Sequence, residues 1–540
     1  MGVQLKGNGP GEAPMNPEVA VPLFVVGGLV AIAFLYRTII RIRQRQRAKL
    51  ALQTDDQAQI SHTNGINASL KKHLLYAPLW GSRHSREFRF LRLHMGSVPL
   101  RLEVILLIIY LALNIIFIIV TVDWWEPFTK KMFQLKYAAG HLAVMNTPGL
   151  VISAGRNNPL ISMLGLSFDT FNFMHRWVGR TIAANAIIHM SAVLANQAYM
   201  NGMDYILYTI WQMPFYIYGL VSLSPLRHSF YELFLHLHVA LAVMSFVALW
   251  YHLKNLLQQK VLLGTLVLWG LDRATRLLVL IWRNCGKRRT TATVEALPGS
   301  VAKVEVEVSR AWNFRPGQYM YLYMPCLGLW TSHPFTVAWT STKDSSSLDL
   351  SEKRSSTDSF ATLIGGSETT TMSVLIKGQD GFTKKLIQKA EDSPEGRIKA
   401  MALAEGPFDH LSWIQAWMLD ILGHDALNTM IDSKGDTYFQ FPGLMLSIRI
   451  HVTGHKENVE EFLPLPETPW TECAPSNVPV AVEYGKPCFK TLLENEKAEQ
   501  VGALAVSVCG PGGLGDSVRE AVRNVQGEKT VDLFEEAFSW

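Results

Sequence analysis

The chain has 540 residues, 49% of them hydrophobic and only 18% charged, with a net charge of +5 and a mean hydropathy of +0.13. Soluble domains carry about 25% charged residues, so a disordered chain is excluded, and five cysteines in this length exclude a small disulfide scaffold. At roughly 100–200 residues per domain the length suggests three or four units, and no nucleic-acid partner is expected.

The hydrophobic residues are concentrated in the first half. A bilayer-spanning helix needs about 20 mostly apolar residues. Seven stretches approach this: 20–40, 102–122, 136–154, 173–195, 205–223, 230–252 and 261–282. No comparable run follows residue 290. Any single polar stretch among them would also suit a buried soluble helix, but seven in series predict a polytopic membrane domain. The Lys/Arg bias of short loops sets the orientation. Segment 41–101 contains RIRQRQRAK and SRHSREFRFLRLH with few acids, which places it in the cytosol and the N-terminus outside. The loops at 155–172 (Arg156) and 224–229 (Arg227), and everything after the last span, then also face the cytosol. In the external loop at 123–136, Lys130, Lys131 and Lys136 stand beside Asp123 and Glu126, so the bias is not clean there. The basic cluster follows the first apolar run, so that run is expected to be a retained helix and not a cleaved signal. Cys285, Cys326, Cys473, Cys488 and Cys509 all fall at or beyond the last span, on the reducing side, and no disulfide is expected.

Two of these stretches share a histidine spacing. His175 and His189 are fourteen residues apart, and so are His238 and His252. Fourteen steps of about 100° leave the second residue some 40° from the first, roughly 21 Å further along the axis. Two facing helices would then offer one His pair near each side of the bilayer, and each pair could supply both axial imidazoles to a haem iron. A single intramembrane histidine more often serves helix packing, but the repeated spacing argues for ligation. His236 competes with His238, yet its offset from His252 turns it about 160° round the helix. His94, His141 and His228 lack a counterpart at this spacing.

The strings GHLAVMNTPGLVISAGRNNPLISMLGLSFDTFNFMHRWVGR (140–180) and SFYELFLHLHVALAVMSFVALWYH (229–252) resemble the fungal-type ferric-chelate reductases of the ferric reductase and NADPH oxidase superfamily. The resemblance runs from about residue 100 to the C-terminus. It implies two b-type haems, one held by His175 with His238 on the cytosolic side, the other by His189 with His252 on the outer side. Arg176, Arg180 and Arg227 would suit the inner haem's propionates, although positive-inside topology alone also explains them.

Beyond residue 290 short alternating runs (TATVEALPGSVAKVEVEVS, YMYLYMP, MSVLIKG) read as strands of a small barrel. The polar tract 341–359 reads as a solvated loop. Arg315-Pro316-Gly317-Gln318-Tyr319, followed by His333-Pro334-Phe335-Thr336, is similar to the family's flavin signature. The resemblance implies that the second string lines the isoalloxazine ring, with the Thr336 hydroxyl near flavin N5. Lys377-Gly378 and Gly381-Phe382-Thr383 open the helical run KKLIQKA. Backbone N–H groups at a helix start cradle phosphate, and the family places the FAD pyrophosphate here, with Lys384 or Lys385 adding charge; a plain surface turn is the competing reading. Trp540 or Phe538 would be the aromatic residue that covers the flavin.

One departure stands out. The family's nucleotide lobe opens with Glu-Gly-Pro-Tyr-Gly and a strand ending in a glycine-rich turn. Here Glu405-Gly406-Pro407-Phe408 runs directly into Asp409-His410-Leu411-Ser412-Trp413, a string the family places several dozen residues later. The glycine-rich turn is absent from the chain. What remains is the strand LSIRIHVTG (446–454), Gly-Lys-Pro-Cys (485–488) and Val508-Cys509-Gly510-Pro511-Gly512-Gly513, which in the family flanks the nicotinamide. Losing the first strand–turn–helix of a doubly wound sheet removes pyrophosphate contacts and should leave a neighbouring strand unpaired. A mis-spliced or mis-predicted chain, a shortened variant and a substituted loop each account for the gap; the first is preferred.

The expected architecture is an α-helical transmembrane bundle of about seven helices, a cytosolic β-barrel FAD domain and a truncated α/β nucleotide-binding domain, like ferredoxin-NADP reductase. The expected boundaries are 1–101 (first helix and basic loop), 102–285 (haem domain), 290–395 (FAD domain) and 396–540 (incomplete NADPH lobe). The resemblance implies a plasma-membrane reductase that passes electrons from NADPH through FAD and two haems to extracellular ferric chelates or siderophores, with cupric chelates as second substrates. A superoxide-producing NADPH oxidase and a haem-binding membrane protein without NADPH turnover are the alternatives.

Overall fold

The computed structural model describes residues 17–53, 65–90, 93–156, 158–164, 166, 168–201, 231–286, 288–310, 312, 319–328, 332–343, 369–378, 381–408, 428–431, 437–441, 444–446, 448–452 and 480–536. It divides into two compact units, Met1–Cys285 with Val501–Arg519 and Gln526–Trp540, and Gly286–Gln500 with Glu520–Val525.

The first unit is built on helices Pro17–Gln53, Arg101–Thr121, Phe128–Met145, Thr147–Ala154, Phe168–Asn201, Tyr231–His252 and Gln258–Asn284. Among the described residues three stretches are long and apolar enough to cross a membrane: Arg101–Thr121, Phe168–Met200 and Phe234–His252. Gly27–Ile40 is a shorter apolar stretch, and the last helix carries Asp272, Arg273 and Arg276 within its apolar run. The expected span 205–223 lies outside the described residues. The first helix runs past its apolar part to Gln53, because the Arg, Gln, Lys and Ala residues that follow are strong helix formers.

The expected span 136–154 is two helices that meet at Asn146. Pro148 cannot donate to a continuing helix and is preorganised for a new first turn. Asn146 becomes a polar joint at the break. It accepts a hydrogen bond from the Tyr110 hydroxyl (2.8 Å) and donates to Asn114 Oδ1 (2.9 Å). Next to it the Thr147 and fully buried Thr265 hydroxyls meet at 2.9 Å. Such side-chain bonds are worth about 0.6–2 kcal/mol each between membrane helices.

The basic loop contains structure that its charge concealed. Glu87–Phe90 and Leu93–Ser97 pair as an antiparallel hairpin, which the alternation of Glu87-Phe88-Arg89-Phe90 was able to signal. Just before it, His84, Ser85 and Arg86 dock on the helix Gly512–Asn524. The Asp516 carboxylate, 2% exposed, accepts the backbone N–H groups of His84 and Ser85 at 2.7 Å and of Arg86 at 3.2 Å. The strands Leu504–Cys509 and Val531–Glu536 flank this helix as a parallel pair. Glu535 binds Arg519 and the Ser85 hydroxyl, and Asp532 binds Lys71. The Tyr76 hydroxyl accepts the Leu533 N–H at 3.3 Å, and burial pushes its pKa up to about 12.

The second unit begins with the hairpin Thr291–Leu297 and Val301–Glu307, reversed at Gly299 and Ser300 in the left-handed region. It belongs to a five-stranded antiparallel sheet in the order Trp339–Lys343, Thr369–Lys377, Val301–Glu307, Thr291–Leu297, Arg397–Met401. A three-stranded antiparallel sheet orders Leu403–Phe408, Tyr319–Tyr323, Ser332–Thr336. The chain turns from one sheet into the other at Val337-Ala338 and at Ala402. Both sheets and the helix Phe382–Glu391 close on one core, with Val294, Val304, Met320, Leu322, Val374 and Leu386 fully or almost fully buried. Residues 341–343, read as part of a loop, extend the strand Trp339–Lys343. Further on, Asn428–Ile431, Thr437–Phe441 and Leu444–Leu446 form an antiparallel sheet, and Ile448–Val452 pairs in parallel with Val480–Tyr484.

Two outcomes follow from the Asp516 dock. Asp516→Ala strands three backbone N–H groups, so a cost of about 2–3 kcal/mol is expected, read as a lower thermal midpoint and faster amide exchange at residues 84–86. His84 donates its Nδ1–H to the Val98 carbonyl at 2.6 Å, and burial first, then Arg519, hold its pKa below the ordinary 6.5. The docked state therefore binds fewer protons, and its stability is present above about pH 6.5 and lost as pH falls through that value. Protection factors at 84–86, the exchange rates corrected for intrinsic pH dependence, should fall between about pH 7 and pH 5 in the natural chain, and His84→Gln should flatten that dependence.

Candidate functional site

The helix Phe168–Asn201 presents His175 and His189, and the helix Tyr231–His252 presents His238 and His252. The structure brings them together in two pairs: the His175 and His238 ring centroids are 6.3 Å apart, and those of His189 and His252 are 6.2 Å apart. Metal–imidazole bonds of about 2.0–2.1 Å, added to the half-width of each ring, put two imidazoles on opposite sides of one metal roughly 6 Å apart, centre to centre. Both pairs have this spacing. The ring planes are near perpendicular, at 82° and 86°. His236 is exposed and His238 is the residue that faces His175.

The second nitrogen of two rings is also accounted for. His175 Nδ1 lies 2.9 Å from the Leu150 carbonyl, and His189 Nδ1 lies 2.7 Å from the Lys136 carbonyl. A carbonyl accepts only from N–H, so each bond fixes the proton on Nδ1 and leaves Nε2 as the metal-binding atom, as it does for most ligating histidines. The His189 ring needs room as well. A Cβ at Gly140 would stand 2.7 Å from His189 Nδ1, so only glycine lets this ring approach the helix Phe128–Met145. Among the described residues there is no group of three or more His, Cys, Asp or Glu suited to a metal ion. Each pair offers two nitrogens, the number a porphyrin iron leaves open, and the donor set fits a bis-histidine haem. Arg176 and Arg180 stack on Phe173 and Trp177 of their own helix, at 5.9 and 4.7 Å. His141 is buried, stacks on Phe117 and meets the Gln258 amide at 3.5 Å. Arg227, His228 and Trp540 with Phe538 lie outside the described residues.

In the second unit the flavin strings converge on the three-stranded sheet. Arg315, Pro316, Gly317 and Gln318 fall outside the described residues, but Tyr319 is buried at the start of its strand. It stands opposite Thr336, with Met320 opposite Phe335, Tyr321 opposite Pro334 and Leu322 opposite His333. On the other edge Phe408 is registered with Tyr319, beyond an irregularity that contains Gly406 and Pro407. A Cβ at Gly406 would press on Tyr319 O and Met320 at 3.4 Å. Three strings separated by up to ninety residues thus lie side by side. Gly381, at φ +75°, starts the helix Phe382–Glu391, and Thr383 sits in its first turn. Phe382 is buried and stacks at 4.6 Å on His333, which ties this helix start to the sheet. Lys377, Lys384 and Lys385 are exposed beside it.

The segment expected to bind NADPH is arranged otherwise. Among the described residues it holds two separate two-stranded parallel pairs and a three-stranded antiparallel sheet. Cys509 ends one strand, and Gly510 and Pro511 lead into the helix Gly512–Asn524. This helix start is packed on the chain itself: a Cβ at Gly512 would collide with the Ser85 carbonyl, and Arg86 donates to the Gly513 carbonyl at 3.2 Å. No local signal in the sequence marks that contact, because its two sides are more than 420 residues apart.

Residues 139–249 match the family described as ferric reductase like transmembrane component, and residues 287–412 match an FAD-binding domain family. The chain is 26% identical over 517 residues to ferric/cupric reductase transmembrane component 2 of Saccharomyces cerevisiae, covering 86% of this chain and 71% of that protein. It is 25% identical over 542 residues to ferric reductase transmembrane component 3 of the same yeast, covering 87% and 71%. Ferric/cupric reductase transmembrane component 1 of Candida albicans is 26% identical over 351 residues, covering 59% and 45%. The chain therefore carries a ferric-reductase-like transmembrane domain followed by an FAD-binding domain, and its likeness to the fungal ferric reductases extends over most of its length.

Proposed function

We propose that this protein is a plasma-membrane ferric-chelate reductase that moves electrons from cytosolic NADPH, through FAD and two b-type haems, to extracellular Fe(III) for iron uptake. The observation that carries it is the pair of His–His sites at 6.3 and 6.2 Å on two long apolar helices. When bound, the flavin and haems supply the redox chemistry, and the protein sets their positions and potentials. His175 and His238 hold the cytosolic haem, and His189 and His252 the outer one. The carbonyls of Leu150 and Lys136 keep two of the imidazoles in the ligating tautomer. Tyr319, Pro334, Phe335 and Thr336 line the flavin ring of a small barrel, and the Gly381–Thr383 helix start takes the pyrophosphate. The relatives are named as ferric or ferric/cupric reductase components, and the electron acceptors of this reading are ferric chelates or siderophores.

A second reading, a haem-binding membrane protein without NADPH turnover, is favoured by one observation. The Gly512 helix start beside Cys509, Gly510 and Pro511 is occupied by Ser85 and Arg86 of the chain itself. This agrees with a nucleotide lobe that lacks its glycine-rich turn.

Reduced-minus-oxidised spectra of purified protein should show two b-type haems, with His238→Ala or His252→Ala each losing about half of the signal. Gly140→Ala should disturb only the outer haem, through its contact with His189. Adding NADPH to membranes without oxygen should reduce the haems within seconds; retained haem and FAD without any such reduction would decide for the second reading.

A further inference from the structure

The Leu150 carbonyl accepts more than the His175 ring. Ser153, 5% exposed and on the same helix, donates its hydroxyl to the Gly149 carbonyl at 2.7 Å and to that of Leu150 at 3.0 Å. His175 Nδ1 approaches the same Leu150 oxygen at 2.9 Å. The corresponding bond from His189 to the Lys136 carbonyl is shorter, at 2.7 Å. A carbonyl oxygen has two lone pairs, and each donor that binds it draws electron density away from the other. The Ser153 hydroxyl therefore weakens the Leu150 carbonyl as an acceptor for His175.

That oxygen is not free to move away from the competition, because its helix Thr147–Ala154 is fastened at both ends to the helix Gln258–Asn284. At the start of the short helix the Thr147 and Thr265 hydroxyls meet at 2.9 Å. At its end Gly155 lies against Asp272, whose Oδ1 would stand 2.8 Å from a Cβ at that position. Arg273 holds the same carboxylate, donating from Nε at 2.9 Å. The two holding points are seven residues apart on the long helix and eight on the short one, about 10.5 and 12 Å of rise. The two contacts therefore fit helices that run side by side in the same sense, with Leu150 between the two points. An ionised side chain within an apolar run is costly, and here Asp272 fixes the end of the helix that presents the His175 acceptor.

We infer that Ser153 is a positioning residue of the inner haem site, one that sets the reduction potential of that haem by sharing the Leu150 carbonyl with His175. The inference rests on the reading of the His175–His238 pair as a haem site and names what tunes it. A strong acceptor at Nδ1 gives an axial imidazole more imidazolate character and makes it a more basic ligand, which favours ferric over ferrous iron. By drawing on that acceptor, the Ser153 hydroxyl keeps His175 less basic and the haem easier to reduce. This suits the haem that takes electrons from the flavin, since a raised potential makes that transfer more favourable.

The test is a redox titration of the purified full chain, followed in the haem absorption bands, in a His252→Ala background that leaves the inner haem alone. Ser153→Ala returns the Leu150 carbonyl to His175. The inner midpoint is expected to fall, so that the ferrous/ferric ratio at a fixed potential drops about threefold, equivalent to about 28 mV. Ser153→Thr keeps a hydroxyl able to bond the same carbonyls and should hold the natural midpoint. The outer haem, read in a His238→Ala background, should not respond to Ser153→Ala. An unchanged or raised inner midpoint in Ser153→Ala, an equal fall in Ser153→Thr, or an equal fall at the outer haem overturns the inference and leaves the haem reading standing. If Ser153→Ala loses the inner haem, Ser153→Cys takes its place, because a thiol is a weaker donor: a smaller fall supports the inference, and no fall or a second loss of haem overturns it. A natural chain whose haem spectrum is unaffected by His238→Ala holds no haem at this pair, and that result overturns the site reading together with the inference built on it.

Discussion

The hydrogen bond from an imidazole Nδ1–H to a neighbouring helix carbonyl is the constraint on which the membrane unit turns. It is made twice, to Leu150 and to Lys136, and each time it settles which nitrogen points at the opposite histidine. Without it a histidine in an apolar span rotates and changes tautomer freely. With it, the ring is held by two helices at once, and the facing ring on the helix Tyr231–His252 meets it at a fixed distance. The demand spreads outward. The Leu150 carbonyl is presented by the short helix Thr147–Ala154, which exists only because the chain breaks at Asn146 and restarts at Pro148. The Lys136 carbonyl is reachable only because residue 140 is glycine.

The bundle is organised to meet that demand by polar joints as well as by apolar contact. Between membrane helices the lipid is as apolar as the side chains, so hydrophobic burial cannot select one packing over another. Tyr110, Asn114 and Asn146 form one joint and Thr147 with Thr265 another, both next to the helix break. The flavin unit follows a different rule. There, alternating strands bury Val294, Val304, Met320 and Leu322 in one core, and antiparallel register then sets Tyr319 opposite Thr336. Position comes from polar joints in one unit and from the ladder in the other.

Much of this was legible because it is periodic. Fourteen residues is close to a whole number of helical turns, so His175 with His189 and His238 with His252 announced their common face without any knowledge of contacts. The alternation in 291–307 announced a hairpin in the same way, and the turn fell at Gly299 and Ser300, where positive φ is required. Other features escaped. Hydropathy makes 136–154 a single span although a proline splits it, because it averages across a break that one residue makes. The hairpin at 87–97 was hidden under its arginines, which mark topology strongly and conformation weakly.

The sequence by itself determined the membrane region, the two histidine pairs, the strand pattern of the flavin unit and the loss of the glycine-rich turn. Each of these is local, written in spacing, composition or a short string. Only the tertiary structure decided which carbonyl orients which histidine, why Gly140 is a glycine, and that Asp516 binds the backbone of residues 84–86. Those partners are 25 to more than 430 residues apart, and backbone N–H and C=O groups are the same in every residue. A sequence therefore carries no mark of which one a side chain will find; the folded chain makes that choice when burial leaves each polar group one place to go.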